Sequence, residues 1–203
     1  MHLYNVKIFP LEAGMALFLI LAPFATFATL MLLTSVKLSL AAAAAVGIGL
    51  VGWDLFKGRS IKMLAAGSMI LFGSLCGYHL LARDELSPAT IRLIVDTGLL
   101  AIALGSIAIR KPFTLQYARE VVEAELHSKP GFLKTNYVLT WVWSAALVLM
   151  LAADIVSIYL PSMPLWICAA IAFAARNSAT YFTRWYPKHV RAETAASANT
   201  AAA

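Results

Sequence analysis

Charge is what this chain has least of. Only 13% of its 203 residues are Asp, Glu, Lys or Arg, about half the share of about 25% in an ordinary soluble domain. With 61% hydrophobic residues and a mean hydropathy of +0.79, polar side chains are too few to coat a water-facing surface. That excludes a soluble enzyme and a disordered chain. Cysteine is scarce too. Cys76 and Cys168 both lie in apolar runs, which excludes a disulfide scaffold and reads as packing. The four histidines have no zinc-site spacing. Gly47-Ile48-Gly49 and Gly52 sit inside an apolar run rather than after a strand, so no nucleotide fingerprint exists. Nucleophile motifs are missing, and no cofactor, metal or enzymatic chemistry is expected. The net charge of +6 lies between apolar segments rather than along one face, which argues against a nucleic-acid partner. What remains is an all-α, polytopic membrane protein whose main partner is the lipid bilayer.

The hydrophobic runs predict six transmembrane helices in a single domain over residues 1–190, with a flexible tail at 191–203. Spanning about 30 Å of hydrocarbon takes about 20 helical residues. The expected spans are 14–35, 37–56, 62–82, 89–109, 136–160 and 164–185. The first is too long for a signal peptide and carries Pro23, a candidate kink. Glycines at 47, 49 and 52, and again at 67, 73 and 77, suggest seams of close helix approach. Between spans four and five, Pro112 can occupy a first helical turn. Leu115, Ala118, Val122 and Leu126 then recur at helical spacing opposite Gln116, Arg119, Glu120 and Glu123. This predicts an interfacial amphipathic helix over 112–126, closed by Lys129-Pro130-Gly131. Two stretches, Gly47 to Arg59 and Gly98 to Arg110, echo each other, each running from a glycine through an apolar helix to an arginine.

Lys and Arg in short loops set orientation. The side of the N-terminus would hold Lys7, Lys57, Arg59, Lys62, Arg110, Lys111, Arg119, Lys129, Lys134, Arg184, Lys188 and Arg191, against Lys37, Arg83 and Arg92 opposite. Twelve against three puts both termini in the cytoplasm of a bacterial-type inner membrane. An odd number of spans would scramble that separation.

Few ionisable residues fall where charge is costly. Arg176, followed by Asn177, lies near mid-depth of span six. Asp96 could pair with Arg92 one turn earlier, and Asp154 could clamp Arg176. His79 stands near the outer end of span three, as an interfacial anchor or a group titrating beside Asp96 or Asp154. Brought together, His79, Asp96, Asp154, Arg176 and Asn177 would form an outward-facing polar cluster, of the sort a proton-coupled carrier needs and a structural ion pair also provides.

The cytoplasmic segment gives a second candidate site. Arg110 and Lys111 suit anionic headgroups. Pro112, Phe113 and Tyr117 suit the interface, and Arg119 and Glu120 form a solvated face that could dock a partner or simply cap the helix. The order of this basic–Pro–aromatic segment, an amphipathic stretch, Asn136, and a span with Trp141 and Trp143 resembles small bacterial inner-membrane proteins of the intracellular septation protein A-like type. Those show Lys-Pro-Leu and Trp-x-x-x-Asn-x-x-Trp; here Phe113 replaces the leucine and the tryptophan spacing departs. The string Pro-Phe-Thr-Leu-Gln-Tyr-Ala-Arg-Glu is also similar to a segment of uncharacterised polytopic membrane proteins. The likeness spans about residues 105–155. The first resemblance implies cell-envelope maintenance through contacts with partner proteins, not a reaction; the second implies nothing about activity. The leading expectation is therefore a non-enzymatic envelope scaffold that binds envelope partners or itself through glycine-rich helix faces and the 110–134 segment; the alternative is a small proton-coupled carrier or channel using the outward polar cluster between spans three to six.

Overall fold

In a bilayer, backbone N–H and C=O groups must find partners within their own segment, so apolar runs of this length fold as helices. The structure, a computed structural model, describes residues 10–82, 86–160 and 162–201, and only the backbone at 10–20, 165, 194–195 and 197–201. Every regular element in them is helical: α1 (Pro10–Leu33), α2 (Val36–Phe56), α3 (Met63–Leu81), α4 (Pro88–Ala108), α5 (Phe113–Val121), a 3₁₀ turn (Ala124–Leu126), α6 (Pro130–Tyr159) and α7 (Leu165–Ala201). Lys7 and Arg83, used above to orient the chain, and Pro161, in the expected break between spans five and six, lie outside the described residues.

Four of these helices, α2, α3, α4 and α6, are long and apolar enough to cross a membrane. That makes the chain all-α with a membrane-protein pattern and corrects the count of six for the described residues. The shortfall has a local cause at each end of the chain. In α1 the apolar stretch within reach is Leu21–Leu33. In α7 the apolar run from Leu165 stops at Ala175, eleven residues on, where Arg176-Asn177-Ser178 interrupts it. Eleven residues rise about 16 Å, roughly half the hydrocarbon thickness.

Successive helices pack as neighbours, α1 on α2, α2 on α3 and α3 on α4, then α4 on α6 and α6 on α7. The connections therefore alternate between two ends. One carries the α2–α3 loop, α5 and the start of α6, and with them most of the basic residues; it is called the basic end below. The other carries the α1–α2, α3–α4 and α6–α7 connections. The core between them joins Phe24 and Phe27 of α1 to Phe72 of α3, rings 5.2 and 5.4 Å apart, with Leu40, Leu64, Ile91 and Trp143 around them. Pro23 is fully buried inside α1. Cys76 and Cys168 are free thiols, half-buried and buried, in keeping with packing roles.

Only some of the expected glycine seam is used. A Cβ on Gly47 would stand 3.1 Å from the Met69 backbone of α3, and one on Gly67 or Gly98 would press into Ile102 or Leu71 across the α3–α4 contact. Gly49, Gly52, Gly73 and Gly77 face open space. The echo between residues 47–59 and 98–110 has a structural counterpart. Both α2 and α4 end with a left-handed residue, Gly58 (φ 64°) and Arg110 (φ 57°). In each case the next residue's N–H reaches back five positions, Arg59 to Asp54 and Lys111 to Ser106, a Schellman motif.

Boundaries around α5 differ from expectation. The helix stops at Val121, a 3₁₀ turn follows, and Pro112 stands at the N-cap, one residue ahead of the helix. Lys129-Pro130-Gly131 does not close this helix; it opens α6 six residues before the expected start of span five. Proline has no N–H to lose at a first helical position, so it starts a helix as readily as it ends one. Past Tyr186, α7 continues through Pro187 to Ala201, so the segment expected as a tail is helical, consistent with its alanine content.

Candidate functional site

The two candidate clusters lie at opposite ends of the bundle. Away from the basic end, Asp96 of α4 and Asp154 of α6 face one another closely enough for their carboxyls to interact directly, with Arg92 and Arg176 in electrostatic reach of Asp96. Asp96 is about 12 Å along α4 from Pro88 at about 1.5 Å per residue, a depth at which a short side chain has no route to the surface. The arginine pairing differs from expectation. Arg92 does not close on Asp96 along its own helix but crosses to Asp154, its Nε 3.4 Å from Oδ1. No clamp between Asp154 and Arg176 appears among the described ion pairs. Arg176 and Asn177 are exposed, Asn177 donating to the carbonyl of Phe173 at 2.7 Å. Asp154 Oδ2 is left buried without a hydrogen-bond donor. Two ionised carboxylates have no proton to offer each other, so only a proton placed between them would complete that contact.

His79 does not join this pair. It lines a cavity of about 340 Å³ with Ser35, Val36, Lys37, Leu86 and Pro88, and a second of about 250 Å³ with Lys37, Leu40, Ala41, Cys76 and Leu80. Its Nε2 is buried and unpartnered. Of the two expectations for His79, an interfacial anchor or a group beside the carboxyls, the second is not met, because His79 faces the α2 side of α3.

At the basic end the structure joins two residues not singled out from the sequence, Asp54 and Lys62, to Tyr117 and Glu120 of the second candidate site. Lys62, just ahead of α3, is buried (6% exposed) with its Nζ 2.6 Å from Asp54 Oδ1 of α2 and 2.8 Å from Glu120 Oε1 of α5. Asp54 is itself only 4% exposed. The Lys62 ammonium also lies over the Tyr117 ring, 5.4 Å from its centre. Arg59 approaches the other oxygen of Glu120 at 3.9 Å. Gln116 completes the junction, accepting from the Met63 N–H at 2.7 Å and donating to the Lys111 carbonyl at 2.9 Å. Burial, reinforced by the charges of Asp54 and Glu120, pushes the Tyr117 phenol well above its ordinary range, so it stays protonated.

α5 is therefore not a helix resting its apolar face on lipid. Pro112, Phe113, Thr114, Leu115 and Tyr117 are buried by protein, against α1, α4 and α6. The Phe113 N–H donates to Ser106 Oγ at 3.0 Å, and Thr114 Oγ1 meets the Asn136 carbonyl and Thr140 Oγ1, each at 2.8 Å. Of the proposed docking set, Phe113, Tyr117 and Pro112 are structural, Glu120 is held in ion pairs, and Arg110, Lys111 and Arg119 remain at the surface. The i, i+4 spacing of Phe113 and Tyr117 did identify one helix side. What it could not identify was the apolar medium on that side.

Asp54 and Lys62 carried a readable signal: a lone acid at the end of an apolar helix, beside the basic run Lys57, Arg59 and Lys62. The hydroxyls of Ser106, Thr140 and Ser144, all fully or nearly buried, gave none, because Ser and Thr are ordinary in membrane helices. No family model matches the chain, and neither a curated protein nor a solved structure is significantly similar to it.

Proposed function

We propose that this chain is a small proton-coupled carrier of the bacterial inner membrane, with Asp96 and Asp154 as its proton-binding pair. The observation that carries this reading is the facing of two carboxyls across the α4–α6 contact, one oxygen of which is buried without a donor. A structural ion pair would match each acid with a base. Here two acids share a site with one half-exposed arginine bonded to one of them, and a second arginine exposed on α7. A proton entering between the carboxyls would close the missing hydrogen bond and loosen the hold of Arg92, and its loss would restore that hold. That is the exchange of partners a coupled carrier needs. The α4–α6 seam also runs on toward the basic end through buried Leu99, Ala103 and Leu147 to the hydroxyls of Ser106, Thr140 and Ser144. In this reading α2, α3, α4 and α6 cross the bilayer and the basic end faces the cytoplasm. The scaffold reading keeps its open glycine faces and Arg110, Lys111 and Arg119, but the aromatic residues of its 110–134 segment are buried. Resemblance to septation-type proteins belongs with that reading.

The test is proton flux into proteoliposomes carrying a trapped pH-sensitive dye. Asp154→Asn and Asp96→Asn should each abolish the flux of the wild type, while Arg176→Gln should weaken it. Unchanged flux in both aspartate variants would overturn the reading.

A further inference from the structure

The two cavities around His79 form a composite site that the carboxyl pair does not explain. They share Lys37 and His79, and they differ in chemistry by depth. The first lies at helix ends and is lined by Ser35, Lys37, His79 and Pro88. The second, one turn further along α2 and α3, is lined by Leu40, Ala41, Cys76 and Leu80. Their volumes, about 340 and 250 Å³, together fall in the range of small-molecule sites, about 300–1,000 Å³. A polar mouth at the helix termini continues into an apolar pouch on the bilayer side.

We infer that this is a binding site for one anionic amphiphile, its headgroup held by His79 and Lys37 and its alkyl chain laid against Leu40, Ala41, Cys76 and Leu80. His79 Nε2 is one of two buried side-chain atoms without a partner among the described residues, and a ring N–H there would donate to a phosphate or carboxylate oxygen. Lys37 supplies charge of the right sign. The start of α2, capped by Ser35 with Leu38 N–H on its Oγ at 3.3 Å, adds the positive end of a helix dipole. The apolar pouch cannot confer selectivity by itself, since a lipid tail is as well solvated by other tails as by leucine. Preference must come from the head. The occupant is therefore a phospholipid with a net negative head, taken from the same bilayer.

The full chain, with Cys168→Ala so that Cys76 is the only thiol, would be placed in nanodiscs of phosphatidylcholine containing a minor fraction of phosphatidylglycerol. Two readouts are the lipid that stays bound after extraction, by mass spectrometry, and the rate of Cys76 alkylation. Phosphatidylglycerol should be retained about fivefold over its share in the disc, the effect of roughly one cation beside an anionic head, and should slow alkylation. His79→Leu should remove most of that enrichment and His79→Gln, which keeps an N–H donor, should restore part of it. Ala41→Phe should fill the pouch and abolish retention while leaving the fold intact. Absence of enrichment in the parent protein, or enrichment unchanged in Ala41→Phe, overturns the inference. Protection of Cys76 by inorganic phosphate in detergent without lipid also overturns it, in favour of a soluble anion. Proton flux should persist in Ala41→Phe, and lipid retention in Asp154→Asn, so this site and the carboxyl pair can fail separately.

Discussion

The two ends of the bundle treat buried charge in opposite ways. At the basic end Lys62 stands between two carboxylates, Asp54 and Glu120, and each acid meets a base within 3 Å. At the other end two carboxyls meet each other, and the nearest base, Arg92, is half exposed and 3.4 Å from only one of them. The first arrangement holds α2, α3 and α5 in fixed register. The second is incomplete as it stands and becomes complete on gaining a proton. A charge buried for structure has its partner built in; a charge buried for exchange has a vacancy, and the difference is measurable.

Removing Lys62 should cause the largest effect. Lys62→Met leaves Asp54 buried without a base, and breaking one side of a buried pair costs about 3–5 kcal/mol. Thermal unfolding in detergent should show a large loss of stability, much of it recovered in Lys62→Met/Asp54→Leu, where no uncompensated charge remains. A Lys62→Met protein as stable as the wild type would show that water reaches this junction and that the contrast between the ends is false.

The same substitution at both ends sharpens the comparison. Asp54→Asn weakens a charge-assisted bond to Lys62 and should cost about 1.5–3 kcal/mol. Asp154→Asn removes one of two facing carboxyls and gives the site a donor. It also breaks an ion pair to Arg92, which being half exposed is worth about 0–1 kcal/mol. Asp154→Asn should therefore leave stability within about 1 kcal/mol of the wild type or raise it. Equal losses in the two variants, read by the same unfolding assay, would mean that both acids are structural.

What could be read ahead of the structure divides along similar lines. The spans α2, α3 and α4 were legible because low charge and runs of about 20 apolar residues leave a bilayer chain no alternative to helix. Asp96, Asp154 and Arg176 were legible as costly charges, and the two acids do converge. Their partners were not legible. Arg92 and Asp96 fit the i, i+4 rule, but the arginine crosses to Asp154, a choice set by the register of α4 on α6. The burial of α5 was hidden for a different reason. Leu115, Phe113 and Tyr117 read alike whether they face lipid or protein, since both are apolar. Lys62 counted as a topological marker in the loop sum, and that concealed its role as the buried centre of a junction.

Gly47 tests how far the rigidity of the basic half extends. Gly47→Ala sets a methyl group 3.1 Å from the Met69 backbone, which cannot rotate away, and overpacking of this sort costs about 1–3 kcal/mol. The α2–α3 contact should open and weaken the Asp54–Lys62 bond with it, leaving the α4–α6 pair and the proposed proton flux unaffected. Gly49→Ala, two residues on and facing open space, should instead gain about 0.5–1 kcal/mol from helix propensity. If both glycines respond alike, helix propensity rather than interhelical contact governs this seam.

The smallest effect concerns pH at Tyr117. Its phenol ionises well above the ordinary range in the folded protein because it is buried beside Asp54 and Glu120. In the unfolded chain it ionises near pH 10. Below that pH both states keep the proton and the group contributes no slope. Above it the unfolded chain releases the proton and the folded protein does not, so stability falls as pH rises. Half a unit past pH 10 the loss is about 0.8 kcal/mol. Tyr117→Phe removes the titrating oxygen but keeps most of the ring, so part of the alkaline loss should vanish while stability at neutral pH changes little. Absorbance of tyrosinate gives an independent check, since Tyr117 should be among the last phenols to ionise before the protein unfolds. If Tyr117→Phe loses stability with the same alkaline slope as the wild type, the junction of Lys62, Asp54 and Glu120 is open to water. The two ends would then differ in which residues they hold but not in how dry they are.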